Sequence, residues 1–510
     1  MDRRQFIQTS VAAGIVAASP ALASSSKPAK QPNVLYVFDD EHRFQSMPGE
    51  PYSDSINAPN LDAFRKTNFS MERCISNYPL CSPYRGMLMT GLWPYQNGIT
   101  RNWIELGTNF ESIGHVFDKA GYRTAYVGKW HLSGPGHDRA FIPAGPHRQG
   151  FQDWHAWGAV DKHMSYSFTY NPDTGEKIQP QGYQATLMTD QAVKIIEEEK
   201  EGSKPWMMIV SYHPPHFPVD DAPEEDEAFF SNKKVALRPN VKTGISDRGP
   251  VRSKEGIEKF HQGYYAHIRA IDREFGRLLK ALDETGQADN TIVIFTSDHG
   301  EMAGSHGRMY KQVPHEESSR VPFFVRYPGV TPKGKSSETL FASIDIYPTL
   351  CGLAGIPVPE HCKGRDLSAA MRGKSVVDSE VVFLMNQGGG KAEAEAGAIG
   401  AASVSIPPKR RPNGNNDAPA AAGDGNGGGY APPNFRGLRS KTHTYAVAHD
   451  GRWLLFDNVH DPYQQNNLID NAAMKPLIDH FDGLIANWLK LANDPFDYSA
   501  AIQKRSSEPA

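Results

Sequence analysis

Cys81-Ser82-Pro83-Tyr84-Arg85 combines residue types that make sense together around a bound anion. Pro83 suits the first turn of a helix, where its missing N–H removes no hydrogen bond and its fixed φ is already helical. Residues 86–90 (GMLMT) can continue that helix, which puts Cys81 at its N-terminus. Free N–H groups and the positive end of the helix dipole attract negative charge there. Arg85, about a turn further on, adds a fixed cation that can hold a charged oxygen. Upstream, 33–38 (NVLYVF) is an apolar run of strand length that ends in Asp39-Asp40. Downstream, 291–296 (TIVIFT) is a second such run, ending in Ser297-Asp298-His299-Gly300. Adjacent carboxylates at a strand end are unfavourable until a cation neutralises them, and hard divalent ions take such oxygens. Open α/β sheets bind ligands at the carboxyl ends of their strands, so both ends can serve one site.

The cysteine run resembles the Cys-x-Pro-x-Arg signature of type I sulfatases, whose cysteine is oxidised before use to Cα-formylglycine. That resemblance assigns Asp39, Asp40, Asp298 and His299, with the modified Cys81, to one divalent ion, Ca2+ by first choice and Mg2+ as the alternative. Many relatives carry Asn where this chain has His299, and Ser where it has Tyr84. The first departure bears on which ion is held; the second reshapes the wall beside the cysteine. Residues 122–127 lead into Gly128-Lys129-Trp130-His131-Leu132, which is similar to the family's Gly-Lys-Trp-His segment. Alternation along an extended chain would turn Lys129 and His131 to the same side. The apolar run 207–210 leads into His213-Pro214-Pro215-His216-Phe217-Pro218, where the family's Pro-His-x-Pro places a functional histidine at His216. Lys311 stands where the family has a sulfate-contacting lysine, in a Gly-rich loop closed by Glu316, Glu317, Arg320 and Pro322. His213, His306 and His315 are expected near the cleft without acting, His315 in a packing role.

A sulfate monoester carries an anionic oxygen shell, so its hydrolysis needs positive charge and a strong nucleophile. The resemblance implies that the metal, Arg85, Lys129 and Lys311 supply the charge. One hydroxyl of the formylglycine hydrate attacks sulfur while a metal-bound carboxylate, Asp298, takes its proton. His216, with Lys311, protonates the departing alcohol oxygen. His131 then deprotonates the second hydroxyl, expelling sulfate and restoring the aldehyde.

A chain of 510 residues exceeds what one core organises, so two domains are expected. Fifty-four basic against fifty-eight acidic side chains argue against a nucleic-acid partner. No apolar run after the N-terminus approaches the ~20 residues that span a bilayer. Four cysteines are too few for a disulfide framework. Cys351 and Cys362 could pair, with buried thiols as the default state. Arg3-Arg4-Gln5-Phe6 followed by a mildly apolar stretch reads as a signal peptide over 1–23, cleaved after Ala23. Its Arg-Arg-x-Phe element resembles a twin-arginine signal, which implies export to the periplasm, or secretion, after a separate enzyme has converted Cys81.

The expected fold class is α/β: a large doubly wound mixed β-sheet domain flanked by helices over 31–375, then a small C-terminal α+β subdomain with a short antiparallel sheet over 376–510. Apolar residues from Ile257 to Leu282 recur at spacings of three and four, which predicts a helix over 253–285 stopped by Gly286. Residues 344–353 resemble the helix that closes the family's large domain, with Asp345 structural. Strand-like runs at 381–385, 435–440, 442–448 and 452–457 precede a helix over 475–491. Between them, 387–433 is dominated by Gly, Ala, Asn and Pro and reads as a mobile low-complexity insertion. The leading functional reading is an exported sulfatase acting on a sulfated carbohydrate. A phosphodiesterase or phosphonate monoester hydrolase of the same superfamily is the alternative. A non-catalytic carbohydrate-binding relative would require a broken site, and every expected position is filled.

Overall fold

The computed structural model describes residues 31–48, 54, 56–134, 141–159, 162–164, 169–171, 173–178, 180–244, 253–388 and 433–507. The expected signal peptide at 1–23, and 389–432 of the expected insertion, lie outside them. The core is an eight-stranded sheet made of β1 (Asn33–Asp40), β2 (Phe69–Met71), β3 (Arg123–Lys129), β4 (Asp153–Trp157), β5 (Trp206–Pro215), β6 (Thr291–Ser297), β7 (Phe323–Arg326) and β8 (Lys335–Ser337). Their spatial order is β8-β2-β7-β6-β1-β5-β3-β4. The run from β6 to β4 is parallel, and β7 is antiparallel to β6.

Period-two alternation divides the strand side chains between two apolar layers. Leu35, Val37, Met208, Val210, Val293 and Phe295 face one layer, which is covered by α1 (Pro59–Thr67), α3 (Gln184–Glu198) and α4 (Lys254–Glu284). Val34, Tyr36, Phe38, Met207, Ile209, Ile292 and Ile294 face the other, beneath α2 (Cys81–Thr90) and α5 (Ile346–Ala354). A sheet buried on both faces needs continuous apolar runs, which is why the central strands read so plainly. The α4 helix starts where its Ser253 cap, accepting from the Gly256 N–H at 3.1 Å, begins the amphipathic repeat. Asp345 is structural as expected, paired with Arg365 at 2.9 Å.

The C-terminal sheet is an antiparallel meander of β9 (Val381–Asn386), β10 (Phe435–Ser440), β11 (His443–Ala448) and β12 (Gly451–Asp457). Helix α6 (Lys475–Ala492) backs it with Ile478, Phe481, Ile485 and Trp488. Trp488 stacks on Phe383 and meets Trp93 of the large domain edge-on, so one ring joins both units.

One expectation is corrected. Strand β5 does not stop at residue 210 but continues through His213 to Pro215, because β1 stays alongside it as far as Asp40. The default of unpaired thiols holds, since all four cysteines, Cys351 and Cys362 among them, are free. Among the described residues, no helix is long and apolar enough to cross a membrane.

Candidate active site

The carboxyl ends of β1, β3, β5 and β6 converge on the N-terminus of α2, with Cys81 at its first position and Pro83 inside its first turn. Ligand atoms of Asp40, Cys81, Asp298 and His299 all lie within 4.8 Å of one another, and all four residues are buried. Cys81 Sγ is 3.6 Å from Asp40 Oδ1 and 3.4 Å from His299 Nε2. Lys129 Nζ reaches Asp40 Oδ2 at 2.5 Å and Cys81 Sγ at 3.7 Å. Arg85 spans the group. Its Nη2 lies 3.1 Å from Asp40 Oδ2 and 3.3 Å from Asp298 Oδ2, and its Nη1 donates to Ser211 Oγ at 2.7 Å and to the Lys129 carbonyl at 2.5 Å. Only a planar fork makes four such contacts from one side chain.

The electrostatics follow from this crowding. Burial opposes ionisation of Asp40, but Lys129, His216, His299 and Arg85 outweigh it and hold the carboxyl well below the usual range. Burial, and then the Asp40 charge, push the Asp298 carboxyl up. Burial and Asp40 also push the Cys81 thiol up to about 11. At neutral pH Cys81 is therefore an uncharged thiol, the weak form of the nucleophile.

Asp39 stands outside the four-residue group. Its Oδ2 pairs with His42 Nδ1 at 2.7 Å, while its buried Oδ1 has no hydrogen-bond partner. Lys311 Nζ lies 3.0 Å from Glu41 Oε1, and His216 Nε2 lies 3.4 Å from Glu41 Oε2. Glu41 is the site residue that sequence reasoning passed over. It directly follows the Asp pair, takes a left-handed φ of 78° and is 1% exposed. That left-handed turn carries its carboxylate toward Lys311 and His216, and a third acid after Asp39-Asp40 was the available signal. Burial disfavours the Lys311 charge, yet Glu41 outweighs it and holds the amine above the ordinary lysine range. Burial, Lys311 and Lys129 hold His216 well below the ordinary histidine range.

His131 corrects another expectation. Strand β3 ends at Lys129 and His131 has φ 56°, so alternation along an extended chain does not set its direction. Its ring packs edge-on against Trp103 at 4.5 Å, with neither nitrogen hydrogen-bonded. Burial, Lys129 and Arg85 hold it well below the ordinary range. His213 is buried, its ring stacked on His216 at a centroid distance of 4.9 Å. His315 packs among His306, Trp453 and Phe456, away from the four-residue group.

A family model described as Sulfatase matches residues 32–356. The chain belongs to the sulfatase family. It is a sulfuric ester hydrolase of the type I family within the alkaline phosphatase superfamily. An ulvan-active sulfatase from Formosa agariphila is 33% identical over 469 residues, 91% of this sulfatase and 82% of the relative. An endo-4-O-sulfatase from Bacteroides thetaiotaomicron is 30% identical, covering 92% and 94% of the two chains. A solved structure reported for the metabolism of multiple glycosaminoglycans by Bacteroides thetaiotaomicron superposes with a TM-score of 0.75 at 28% identity, over 93% of this sulfatase and 99% of that chain.

The family works with a metal ion, and the donor set of this sulfatase fits one. Asp39 and Asp298 are pushed up by burial, and the orphaned Asp39 Oδ1 lacks any partner. A hard divalent cation relieves both conditions.

Proposed function

We propose that this sulfatase removes sulfate from a sulfated carbohydrate after its Cys81 has become formylglycine, with one divalent ion, Ca2+ by preference, in the site. The observation that carries the proposal is the convergence of Cys81, Asp40, Asp298 and His299 under the paired cations Arg85 and Lys129. Asp40, Asp298, His299, Asp39 through Oδ1 and the modified Cys81 would hold the ion. When present, the ion supplies fixed positive charge and the hydrated formyl group supplies a hydroxyl nucleophile.

The protein's own groups divide the remaining work. Lys129, Arg85 and Lys311 bind and orient the sulfate oxygens. Asp298, which Arg85 meets at 3.3 Å and which lacks the lysine contact that Asp40 makes with Lys129, is the carboxylate that accepts the proton. His131 is neutral at pH 7 and is the base for the step that releases sulfate. Lys311, always protonated in the free protein, faces the leaving oxygen together with His216. His216 is neutral in the free protein, and the anionic substrate, by offsetting Lys311 and Lys129, restores its proton.

Carbohydrate is proposed as the substrate from two supports. The relatives include sulfatases named for ulvan and for endo-4-O action. A cleft of about 800 Å³ is walled by Phe217, Tyr310, Asp220, Lys259 and Gln262, and Phe217 links it to the site by stacking on His216 and lying 5.4 Å from Lys311 Nζ. Aromatic faces with convergent polar groups suit a sugar ring. Cys81 is 1% exposed, so the maturation enzyme acts before the fold closes. Export through the leader at 1–23 to the periplasm completes the proposal. The test compares release of sulfate from sulfated oligosaccharides and nitrophenyl sulfate with hydrolysis of phosphate and phosphonate esters. Sulfate esters should dominate and Cys81→Ala should abolish turnover. A preference for phosphonate esters would move the chain to the alternative reading.

A further inference from the structure

Next to His216, whose carbonyl His163 contacts, lies a second cluster that the sulfatase chemistry leaves unused. His163, Asp221 and His267 each bring one ligand atom within 4.8 Å of the others, and His163 Nδ1, Asp221 Oδ1 and His267 Nε2 are their buried atoms without a hydrogen bond. His163 and His267 are fully buried, and Asp221 is one-fifth exposed at its side chain. His267 Nε2 stands 3.5 Å from Asp221 Oδ1, an ion-pair contact longer than a good hydrogen bond. Buried polar atoms without partners are costly, so three ligand-type side chains within 4.8 Å of one another call for an occupant.

The surrounding bonds orient the three atoms as ligands. His163 Nε2 lies 2.7 Å from the carbonyl oxygen of His216. A carbonyl only accepts, so Nε2 carries the hydrogen and Nδ1 presents a bare lone pair to the cluster. Asp221 Oδ2 accepts the backbone N–H of His163 at 2.6 Å, which turns Oδ1 toward the histidines. On the far side of His267, Nδ1 meets Tyr183 OH at 2.8 Å. Outer partners on the other ring nitrogen are the usual support for metal-binding histidines.

We propose that His163, Asp221 and His267 form a second metal centre for a borderline divalent ion, Zn2+ first among them. Two imidazoles and a carboxylate suit Zn2+, whereas Ca2+ and Mg2+ take oxygen shells. Two tetrahedral ligands at zinc distances sit ~3.3 Å apart, and the His267–Asp221 pair is already at 3.5 Å. The third ligand draws in on loading. The centre ties together the 162–164 segment, the loop after β5 and helix α4. Through the His163 bond to the His216 carbonyl it positions the segment that bears His216. It is a positioning centre, separated from the catalytic group by the His163–His213–His216 ring ladder, with centroids 4.9 Å apart at each step.

The test uses tag-free, full-length enzyme, saturated with Ca2+ after dialysis against a chelator, and titrated with Co2+ and then Zn2+. One Co2+ per chain should bind with the intense visible absorption of a tetrahedral site, and Zn2+ should displace it. His163→Ala, Asp221→Asn and His267→Ala should each weaken binding at least 100-fold, with folding checked by circular dichroism. Tyr183→Phe, a milder change outside the ligand set, should weaken it about tenfold. His299→Ala should leave the absorption intact. The proposal is overturned if neither ion binds, if Tyr183→Phe and the ligand variants bind as the parent does, or if the absorption is lost in His299→Ala and kept in His267→Ala.

Discussion

Glu316 sits in the loop that follows Lys311 and fastens that loop to the C-terminal sheet. It is buried, with Oε1 accepting from Arg439 Nε of β10 at 2.6 Å and Oε2 3.5 Å from Arg320 Nη1. Burial opposes its charge, but Arg439 and then Arg320 outweigh burial and hold the carboxyl at about 2, against an ordinary 4.5. A depressed folded value stabilises the fold above pH 4.5 and loses that contribution as pH falls toward 2. At about 1.4 kcal/mol per pH unit the gap is worth about 3 kcal/mol at neutral pH, and about 2 kcal/mol at pH 3.5. Glu316→Gln also strands Arg439 without its counter-charge, a change that costs ~3–5 kcal/mol in buried pairs. Urea unfolding of the two full-length proteins, followed by their intrinsic tryptophan fluorescence, measures the difference directly. It should be about 3 kcal/mol at pH 7.5 and should narrow by about 1 kcal/mol at pH 3.5. A difference under about 1 kcal/mol, or one that is equal at both pH values, would refute the assignment of that charge.

Arg85→Lys should lower kcat for nitrophenyl sulfate by about 100-fold, because one ammonium cannot span Asp40, Asp298, Ser211 and the Lys129 carbonyl together; parent-like kcat would contradict this. Gly128→Ala should destabilise the protein by roughly 2–5 kcal/mol in urea unfolding. At φ +111° its Cβ would lie 2.1 Å from Met188 Cε and 2.2 Å from the Ser211 carbonyl oxygen, so unchanged stability would count against the packing behind Lys129. The kcat/KM–pH profile, which reports the free enzyme, should show no acid limb from His131 as pH falls through 6.5, because burial and then Lys129 hold that residue well below this value and the base stays neutral. An acid limb centred above pH 6.5 would remove His131 from that role.

What the sequence made legible was whatever sits at an element boundary. Asp40, Asp298 and Cys81 were readable because apolar strands end, and a Pro-started helix begins, where the chemistry is. Helix α4 was readable from its Ser253 cap and its unbroken apolar stripe. His131 was placed by strand alternation, but the strand ends two residues earlier and a left-handed φ redirects the chain. Glu41 carried one signal, its place directly after the acid pair, but the positive φ that aims its side chain leaves no mark in the sequence. His163, Asp221 and His267 come from separate elements with no fixed spacing, so only tertiary packing brings them together. Strand β5 outran its apolar stretch because pairing with β1 overrides the polar side chain of His213.

Mass spectrometry of the proteolytic peptide that carries Cys81, taken from enzyme of known specific activity, bears most directly on the proposed chemistry. The residue should have lost its sulfur and two hydrogens and gained one oxygen, and the converted fraction should rise in proportion to activity. Full activity in protein whose Cys81 is an intact thiol would contradict it.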